Sequence, residues 1–388
     1  MTAVAPPVPG TLPVRTAAVA AVAARHAGAV DAAGAFPAAA MAAAREQQLL
    51  SAAVPRALGG DGASLVELVA MGQQLGAACA STAMVLAMHH IQVALLARHG
   101  MGVPALEAHL ERVVTEQRLI ASVTSEVGVG GDTRSSVCAL EAAGDRFAVV
   151  KDATTISYGA QADDLLLTAR RAPDAASGDQ VLVLLAGGDY TLEPRGGWDM
   201  LGMRGTCSPP FLVRGGGPLA HRFPCAYAEA SMETMVPVSH LVWAGLWTGI
   251  AADAVGRAAA FVRAAARRAP GTVPPTAVRL AEARAQLDAL RQLVHGVAAE
   301  VDALGDDRAP LRTVAWALRL NNLKITASEA VPRLVHQALQ VIGIAGYRND
   351  SPYAVGRHYR DALSASLMVG NERILARNAS LLLVHKDD

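Results

Sequence analysis

The sequence has little charge, few aromatic residues and few cysteines. Asp, Glu, Lys and Arg make up 18% of its 388 residues, against about 25% in typical soluble domains. The 34 basic and 34 acidic residues cancel, which argues against nucleic acid or an anionic membrane surface as a partner. The surplus of Ala, Val and Leu therefore belongs in a membrane, in a large helical core or in subunit interfaces.

The four cysteines, Cys79, Cys138, Cys207 and Cys225, are far apart and form no CxxC pair. This spacing predicts neither a disulfide scaffold nor a cysteine zinc site, and we expect no metal and a cytoplasmic location. The proline-rich N-terminus lacks a basic region, so we interpret about its first 12 residues as a loose tail and not as a signal peptide.

Two uncharged stretches, Leu68–Ala97 and Thr234–Ala252, are long enough to span a membrane. Both contain polar side chains, among them His89 and His240, and such groups are costly inside lipid. We therefore predict two buried helices and no membrane span.

The pattern along the chain divides it into three zones and predicts an α+β, mostly α, architecture. Residues 1–117 predict an N-terminal helical domain, and residues 226–388 predict a C-terminal four-helix bundle. Residues 118–225 contain short β-prone runs separated by Gly, Asp and Pro, which predict a middle antiparallel β-domain or small barrel. The four clearest runs are Leu119–Val123, Arg146–Val150, Leu165–Ala169 and Gln180–Leu185.

Five motifs lie along this layout: the glycine-rich run Ser125–Asp132, then Ala153–Asp163, Leu201–Thr206, Gln340–Tyr347 and Arg357–Ala362. In this order the chain resembles the acyl-CoA dehydrogenase family, a flavoprotein superfamily that also includes flavin-dependent monooxygenases. The resemblance covers most of the chain. Each motif is weak by itself, and the resemblance is strong because all five occur in the order found in the family.

The resemblance implies FAD bound between the middle domain and the bundle, with help from a second subunit of a homodimer or homotetramer. Ser125 and Ser157 match hydroxyl side chains that contact the flavin, and Gln340 and Gly343 match contacts to the adenosine part across the subunit interface. The cofactor-binding positions implied are Thr124, Ser125, Gly130, Gly131, Ile156, Ser157, Arg204, Gln340 and Gly343.

The expected catalytic base is missing. Dehydrogenases of the family remove an α-proton with a Glu, and a positioned base is essential to that chemistry. Val369 stands at the commonest Glu position, and the alternative position on the first bundle helix falls at about Ser239. The neighbouring His240 is a candidate base because its ordinary pKa lies near 6.5. His89 and His90, together with Ser239, are candidates for the substrate pocket.

Other positions also differ from the family pattern. Thr155 replaces an indole that covers the flavin in many members, and the loop Arg267–Thr272 lacks the Phe that serves FAD across the dimer. FMN or exchangeable reduced flavin therefore stays open as the cofactor. We interpret Arg360 and Asp361 as a structural ion pair and Glu372 as a surface residue.

Three functions remain open. The first is an FAD-dependent dehydrogenase that oxidises an acyl thioester, bound to CoA or to a carrier protein, at Cα–Cβ and passes electrons to an acceptor. The second is a flavin-dependent monooxygenase that uses O2 and reduced flavin from a reductase. The third is a catalytically degenerate binding protein.

Overall fold

The computed structural model describes residues 9–385, so most of the predicted loose tail lies outside the described residues. Helices come first along the chain, and α3 shows how the sequence starts one. Ser64 Oγ accepts from Glu67 N at 3.2 Å while Ser64 N donates to Glu67 at 2.8 Å, which is a capping box. Asp302 from the bundle accepts from the next two backbone N–H groups. The N-terminal helices are α1 Leu12–Ala33, α2 Ala38–Glu46, α3 Leu65–Ala78, α4 Ala80–His99 and α5 Pro104–Glu116.

The middle of the chain forms seven strands in two sheets. Their bounds are β1 Ile120–Val123, β2 Glu141–Ala143, β3 Arg146–Ala153, β4 Asp164–Arg170, β5 Gln180–Leu185, β6 Tyr190–Pro194 and β7 Phe211–Pro218. The sheets have the orders β1-β4-β5 and β2-β3-β7-β6. The four β-prone runs correspond to β1, β3, β4 and β5, whereas the sequence pattern did not single out the other three.

One strand pair departs from the antiparallel expectation. Strand β1 pairs with β4 in parallel, with Ile120 opposite Asp164 and Val123 opposite Leu167. A parallel pair needs a long crossover, and residues 124–163, which contain the hairpin β2–β3 of the other sheet, provide it. The remaining pairs of named strands in the described chain are antiparallel.

Helices return after β7, beginning with α6 Tyr227–Ala230 and one π-helical turn, Ser231–Met235. The long helices α7 Val236–Arg268, α8 Ala277–Ala303 and α9 Val314–Ile342 follow, then α10 Ile344–Tyr347, α11 Gly356–Leu363 and α12 Asn371–Leu382. The result is mostly helical with a β-domain in the middle, as predicted.

Close helix contact joins the N-terminal helices to the bundle. A Cβ atom added to Gly76 on α3 would collide with the carbonyl oxygen of Leu246 on α7. One added to Gly249 on α7 would collide with the carbonyl of Gln73 on α3. Because glycine has no side chain, the two backbones approach where any larger residue would separate them.

The two uncharged stretches form helices that are long and apolar enough to cross a membrane, Ala80–His99 and the continuous run Tyr227–Arg268. Within the protein, 83% and 78% of their apolar windows are buried against other elements. Burial of this extent is typical of core helices, and it accounts for the low charge of both segments.

Candidate functional site

The flavin crevice that the resemblance implies would lie between the glycine-rich turn after β1 and the start of α12, and one side chain joins these two segments. Arg373 donates to the carbonyl oxygens of Gly130, at 2.6 Å, and Gly131. The glycine-rich turn after β1 therefore lies against the turn that precedes α12. These two segments are far apart in sequence, and each carries a part of the predicted site.

Hydroxyl groups lie in the segments of the middle domain that are predicted to contact the flavin. Ser125 Oγ donates to the carbonyl of Thr155 at 2.8 Å and accepts from its N–H at 3.2 Å, so the two predicted flavin-contacting segments are adjacent. Ser157 accepts a hydrogen bond of 3.0 Å from Ser208, whose hydroxyl also lies 3.0 Å from that of Thr206. The chain Ser157–Ser208–Thr206 holds a hydroxyl group where the resemblance implies a contact to the flavin ring.

The glycine-rich turn fits a flavin. Gly128, Gly130 and Gly131 have φ angles of 94°, 58° and 78°, a region that favours glycine. A Cβ atom at Gly130 would meet nothing within 4 Å, so a ligand can approach this side of its backbone, while Arg373 occupies its carbonyl oxygen. Accessible backbone and nearby hydroxyl groups are the donors and acceptors that a flavin edge requires.

The other predicted cofactor-binding residues differ in which of their groups a cofactor could contact. Thr124 is half-buried beside Ser125. Ile156 is fully buried, so a cofactor could meet its backbone but not its side chain. Arg204 donates to the carbonyl oxygens of Asp31 on α1 and of Met200 in its own loop, both at 2.8 Å, so these donors are used within the protein.

The motifs Leu201–Thr206 and Arg357–Ala362 pack against each other. Asp361 accepts from Met203 N at 2.6 Å, and burial raises the pKa of its carboxyl group to about 6. Arg360 bonds to Asp31 on α1. Each residue of the expected pair Arg360–Asp361 thus has its own partner in another element, and both are structural.

Val369 occupies an exposed turn at the crevice, with 42% of its surface accessible. Its φ angle is 53°, a left-handed conformation that is rare and costly for a β-branched residue. Glu372, three residues later, is exposed at the start of α12. The turn lies where the resemblance implies a catalytic turn, and the Val369 side chain has no proton acceptor.

Below this turn lies a buried polar cluster that the sequence analysis did not identify. Lys324 on α9 is fully buried and donates to Asn371 Oδ1 at 2.7 Å, and Asn371 in turn donates to Ser328 at 3.1 Å. Burial lowers the pKa of Lys324 to about 8. A lysine in an otherwise apolar helix face, four residues before a serine, was the available signal.

His240 lies deep in the bundle, 4% exposed. Its Nδ1 is 3.2 Å from the carbonyl of Leu320, so Nδ1 carries the proton and Nε2 keeps its lone pair. Burial lowers its pKa to about 4, and the Lys324 cation adds to the effect. His240, Trp243 and Trp247 form a row of rings along α7. The ring centroids are 6.2 Å apart between His240 and Trp243 and 6.3 Å apart between Trp243 and Trp247.

The remaining pocket candidates are buried. Ser239 donates to the carbonyl of Val236 on its own helix, at 3.1 Å. His89 accepts from Ile120 N at 3.1 Å through Nδ1 and donates to the Leu50 carbonyl at 2.7 Å through Nε2, so both nitrogens are used by backbone. His90 packs against His89 with 5.0 Å between ring centroids, and burial lowers its pKa well below the usual value.

Gln340 and Gly343 lie at the surface, away from these buried groups. Gln340 is exposed, contacts His336 at 3.1 Å and lines a groove between α9 and α11. Gly343 ends α9 with a φ angle of 69° and open space around it. Both are accessible to a second subunit and take no part in the crevice of their own chain.

The helical, β and helical layout, with the predicted flavin-contacting segments adjacent, is that of a flavin oxidoreductase. The sequence model described as "Acyl-CoA dehydrogenase, N-terminal domain" matches residues 14–102, and that described as "Acyl-CoA dehydrogenase, C-terminal domain" matches residues 229–380. Together they span more than half of the chain. The protein belongs to the acyl-CoA dehydrogenase family.

Curated relatives are thioester dehydrogenases. Cyclohex-1-ene-1-carbonyl-CoA dehydrogenase of Geobacter metallireducens is 24% identical over 343 residues, which cover 84% of each chain. Human mitochondrial short-chain specific acyl-CoA dehydrogenase is 25% identical over 341 residues, covering 84% of this chain and 77% of the human protein.

Solved structures with the same fold include oxygenases. The FMN-bound form of TdsC, a dibenzothiophene monooxygenase of Paenibacillus sp. A11-2, has a TM-score of 0.84 at 20% identity, covering 97% of this chain and 98% of that one. Butyryl-CoA dehydrogenase of Megasphaera elsdenii has a TM-score of 0.80 at 19% identity, covering 97% and 99%. At these identities the likeness establishes the fold.

Proposed function

We propose that this protein is a flavin-dependent monooxygenase that uses reduced flavin and O2. The observation that carries the proposal is Val369 in the catalytic turn, because an aliphatic side chain cannot accept the α-proton whose removal begins thioester dehydrogenation. The second possible base position, Ser239, is a hydroxyl bonded to its own helix. Oxygenation does not require a carboxylate at either position.

The relocated base His240 fits dehydrogenation poorly. A proton placed on its Nε2 would create an imidazolium in a buried row of indole rings, next to the Lys324 cation. The Lys324 ammonium bonds to an amide oxygen, so no carboxylate offsets the added charge at that contact. Burial of a second positive charge opposes the proton transfer.

Reduced flavin supplies two electrons, so that one atom of O2 enters the substrate and the other leaves as water. The side chains that would hold the ring are Ser125 and Ser157, with the backbone N–H of Gly130 along its edge, since Arg373 occupies the carbonyl oxygens of Gly130 and Gly131. Ser208 fixes the Ser157 hydroxyl by donating to it at 3.0 Å, which leaves the Ser157 proton free for the flavin. The structural likeness to an FMN-bound monooxygenase supports FMN or exchangeable flavin, with FAD as the alternative.

The test supplies purified protein with FMN or FAD, a flavin reductase and NADH in the presence of catalase. Indole, dibenzothiophene and a panel of acyl-CoA thioesters serve as substrates. We expect substrate-dependent oxygen consumption and an oxygen atom from labelled O2 in the product. Anaerobic bleaching of bound FAD by an acyl-CoA, with no labelled product in air, would overturn the proposal.

Acyl-thioester dehydrogenation is the second candidate, favoured by the CoA dehydrogenases among the relatives and by the free lone pair of His240 Nε2. Its electron acceptor would be an electron-transferring flavoprotein or a similar partner. His240→Asn would then abolish anaerobic flavin reduction. Val369→Glu, compared with Val369→Gln, would raise the rate of flavin reduction by about 10²-fold or more.

A homodimer or homotetramer completes the proposed site. The exposed residues Ile344 and Tyr347 place large apolar side chains next to Gly343 in the sequence, where a second chain would bring its cofactor. Light scattering on the purified protein tests the assembly, and a monomer that binds flavin fully would contradict it.

A further inference from the structure

Three side chains outside the flavin crevice bring different metal-ligating groups together. One ligand atom each from His99, Cys225 and Glu229 lies within 4.8 Å of the others. His99 is the last residue of α4, Cys225 lies two residues before α6, and Glu229 is on α6. We propose that this cluster binds a divalent transition-metal ion, with Zn²⁺ as its best match.

The donor set agrees with zinc chemistry. Thiolate, imidazole and carboxylate are the three protein ligands that Zn²⁺ takes, at about 2.0–2.3 Å, and tetrahedral coordination then sets ligand atoms roughly 3–4 Å apart. Side-chain rotations that move each ligand atom by less than about 1 Å would shorten the observed spacing to that range. The fourth position is left for water.

A neighbouring hydroxyl group already orients the histidine. His99 Nε2 lies 2.9 Å from Thr234 Oγ1, and both residues are buried. Outer contacts of this kind hold a ligating imidazole in place and limit the entropy lost on metal binding. Cys225 and Glu229 are half-buried, so both ligand groups are accessible from solvent.

The local charges permit a dication. A Cys225 thiolate and the Glu229 carboxylate together balance Zn²⁺, with the imidazole neutral. Arg312 lies 3.4 Å from Glu229 but bonds more closely to Glu233, so a Glu229 carboxylate oxygen stays available to the metal. The ion would join the end of α4 to the segment that links the β-domain to the bundle, and it would stabilise that junction.

Cobalt titration of the full-length, chelator-treated protein tests the site. We expect one equivalent of Co²⁺ per chain and a thiolate-to-cobalt charge-transfer band, which Cys225→Ser removes. Cys207→Ser is the matched control, since Cys207 is also free and half-buried, and it should keep the band. A band that survives Cys225→Ser, or disappears in Cys207→Ser, would overturn the assignment.

Zinc affinity, measured by competition with a chromogenic chelator, gives a second readout. We expect His99→Ala and Glu229→Gln to weaken binding strongly, and Thr234→Val to weaken it by about 10- to 100-fold. Circular dichroism of each variant checks that it is folded. No stoichiometric binding by the folded wild-type protein, with or without flavin, would refute the site and leave the proposed oxygenase activity untouched.

Discussion

Lys324 Nζ donates a hydrogen bond of 2.7 Å to Asn371 Oδ1, which fixes the first residue of α12 to the centre of α9. The turn that contains Val369 ends at Asn371, so this bond ties the Val369 turn to the bundle core. A fully buried ammonium bonded to a neutral amide is costly in free energy, and its retention at this point agrees with a role in holding the turn.

Replacing Lys324 with Met should change how the free energy of unfolding depends on pH, because it removes the buried ammonium group. Burial lowers the folded pKa to about 8 from the ordinary value of 10.5, so the unfolded chain binds more protons between these pH values. The free energy of unfolding of the wild type should therefore rise relative to Lys324→Met from pH 8 to 10.5, by about 1 kcal/mol per pH unit. Urea unfolding of both proteins measures this, and parallel curves would contradict it.

Replacing Val369 with Asn should stabilise the protein by about 1 kcal/mol, because Asn tolerates the left-handed backbone that strains a β-branched residue. Val137→Asn is the control, an exposed valine without positive φ, and it should give no gain. The change in urea midpoint at constant m reports the effect. Equal shifts in both variants would show that the backbone of Val369 carries no strain.

Acid should destabilise the protein through its buried histidines. The folded pKa values of His89 and His240 are lowered to about 4, so their contribution is complete above pH 6.5 and is lost as pH falls towards 4. In His89→Asn and His240→Asn the decline in melting temperature over this range should be shallower. Unchanged slopes in both variants would rule out these residues as its source.

Asp361 should affect the pH dependence of stability in the direction opposite to that of the histidines. Burial raises its folded pKa to about 6 from 3.8, so the folded state binds more protons and its stability falls as pH rises from about 4 to 6. Asp361→Asn should remove this component while keeping an acceptor for Met203 N. The difference between the stability–pH curves of the wild type and Asp361→Asn separates the Asp361 contribution from that of the histidines. A difference that does not change between pH 4 and 6 would contradict the prediction.

His89→Ala should cost about 2–5 kcal/mol of stability without any direct effect on chemistry. It leaves the Ile120 N–H and the Leu50 carbonyl buried without their partner, at roughly 1–3 kcal/mol each. Denaturant unfolding measures the loss. A stable variant that has lost only activity would instead place His89 at the substrate.

Local sequence patterns were sufficient to predict much of the fold. The turn glycines, the long apolar helices and the order of five motifs all depend on residues close in sequence, because backbone conformation and amphipathic period are local properties. They were enough to predict the helical, β and helical zones and the family.

Contacts between distant segments were settled by tertiary structure alone. The parallel pairing of β1 with β4, the Lys324–Asn371 bond and the convergence of His99 on Cys225 and Glu229 join residues with no shared spacing. The four scattered cysteines predicted no metal site, and this stays a prediction. A ligand set assembled from separate elements leaves no motif in the sequence, so only the structure brings these three groups to attention. The sequence determined which groups were present, and packing decided which of them meet, since burial and distance set their chemistry.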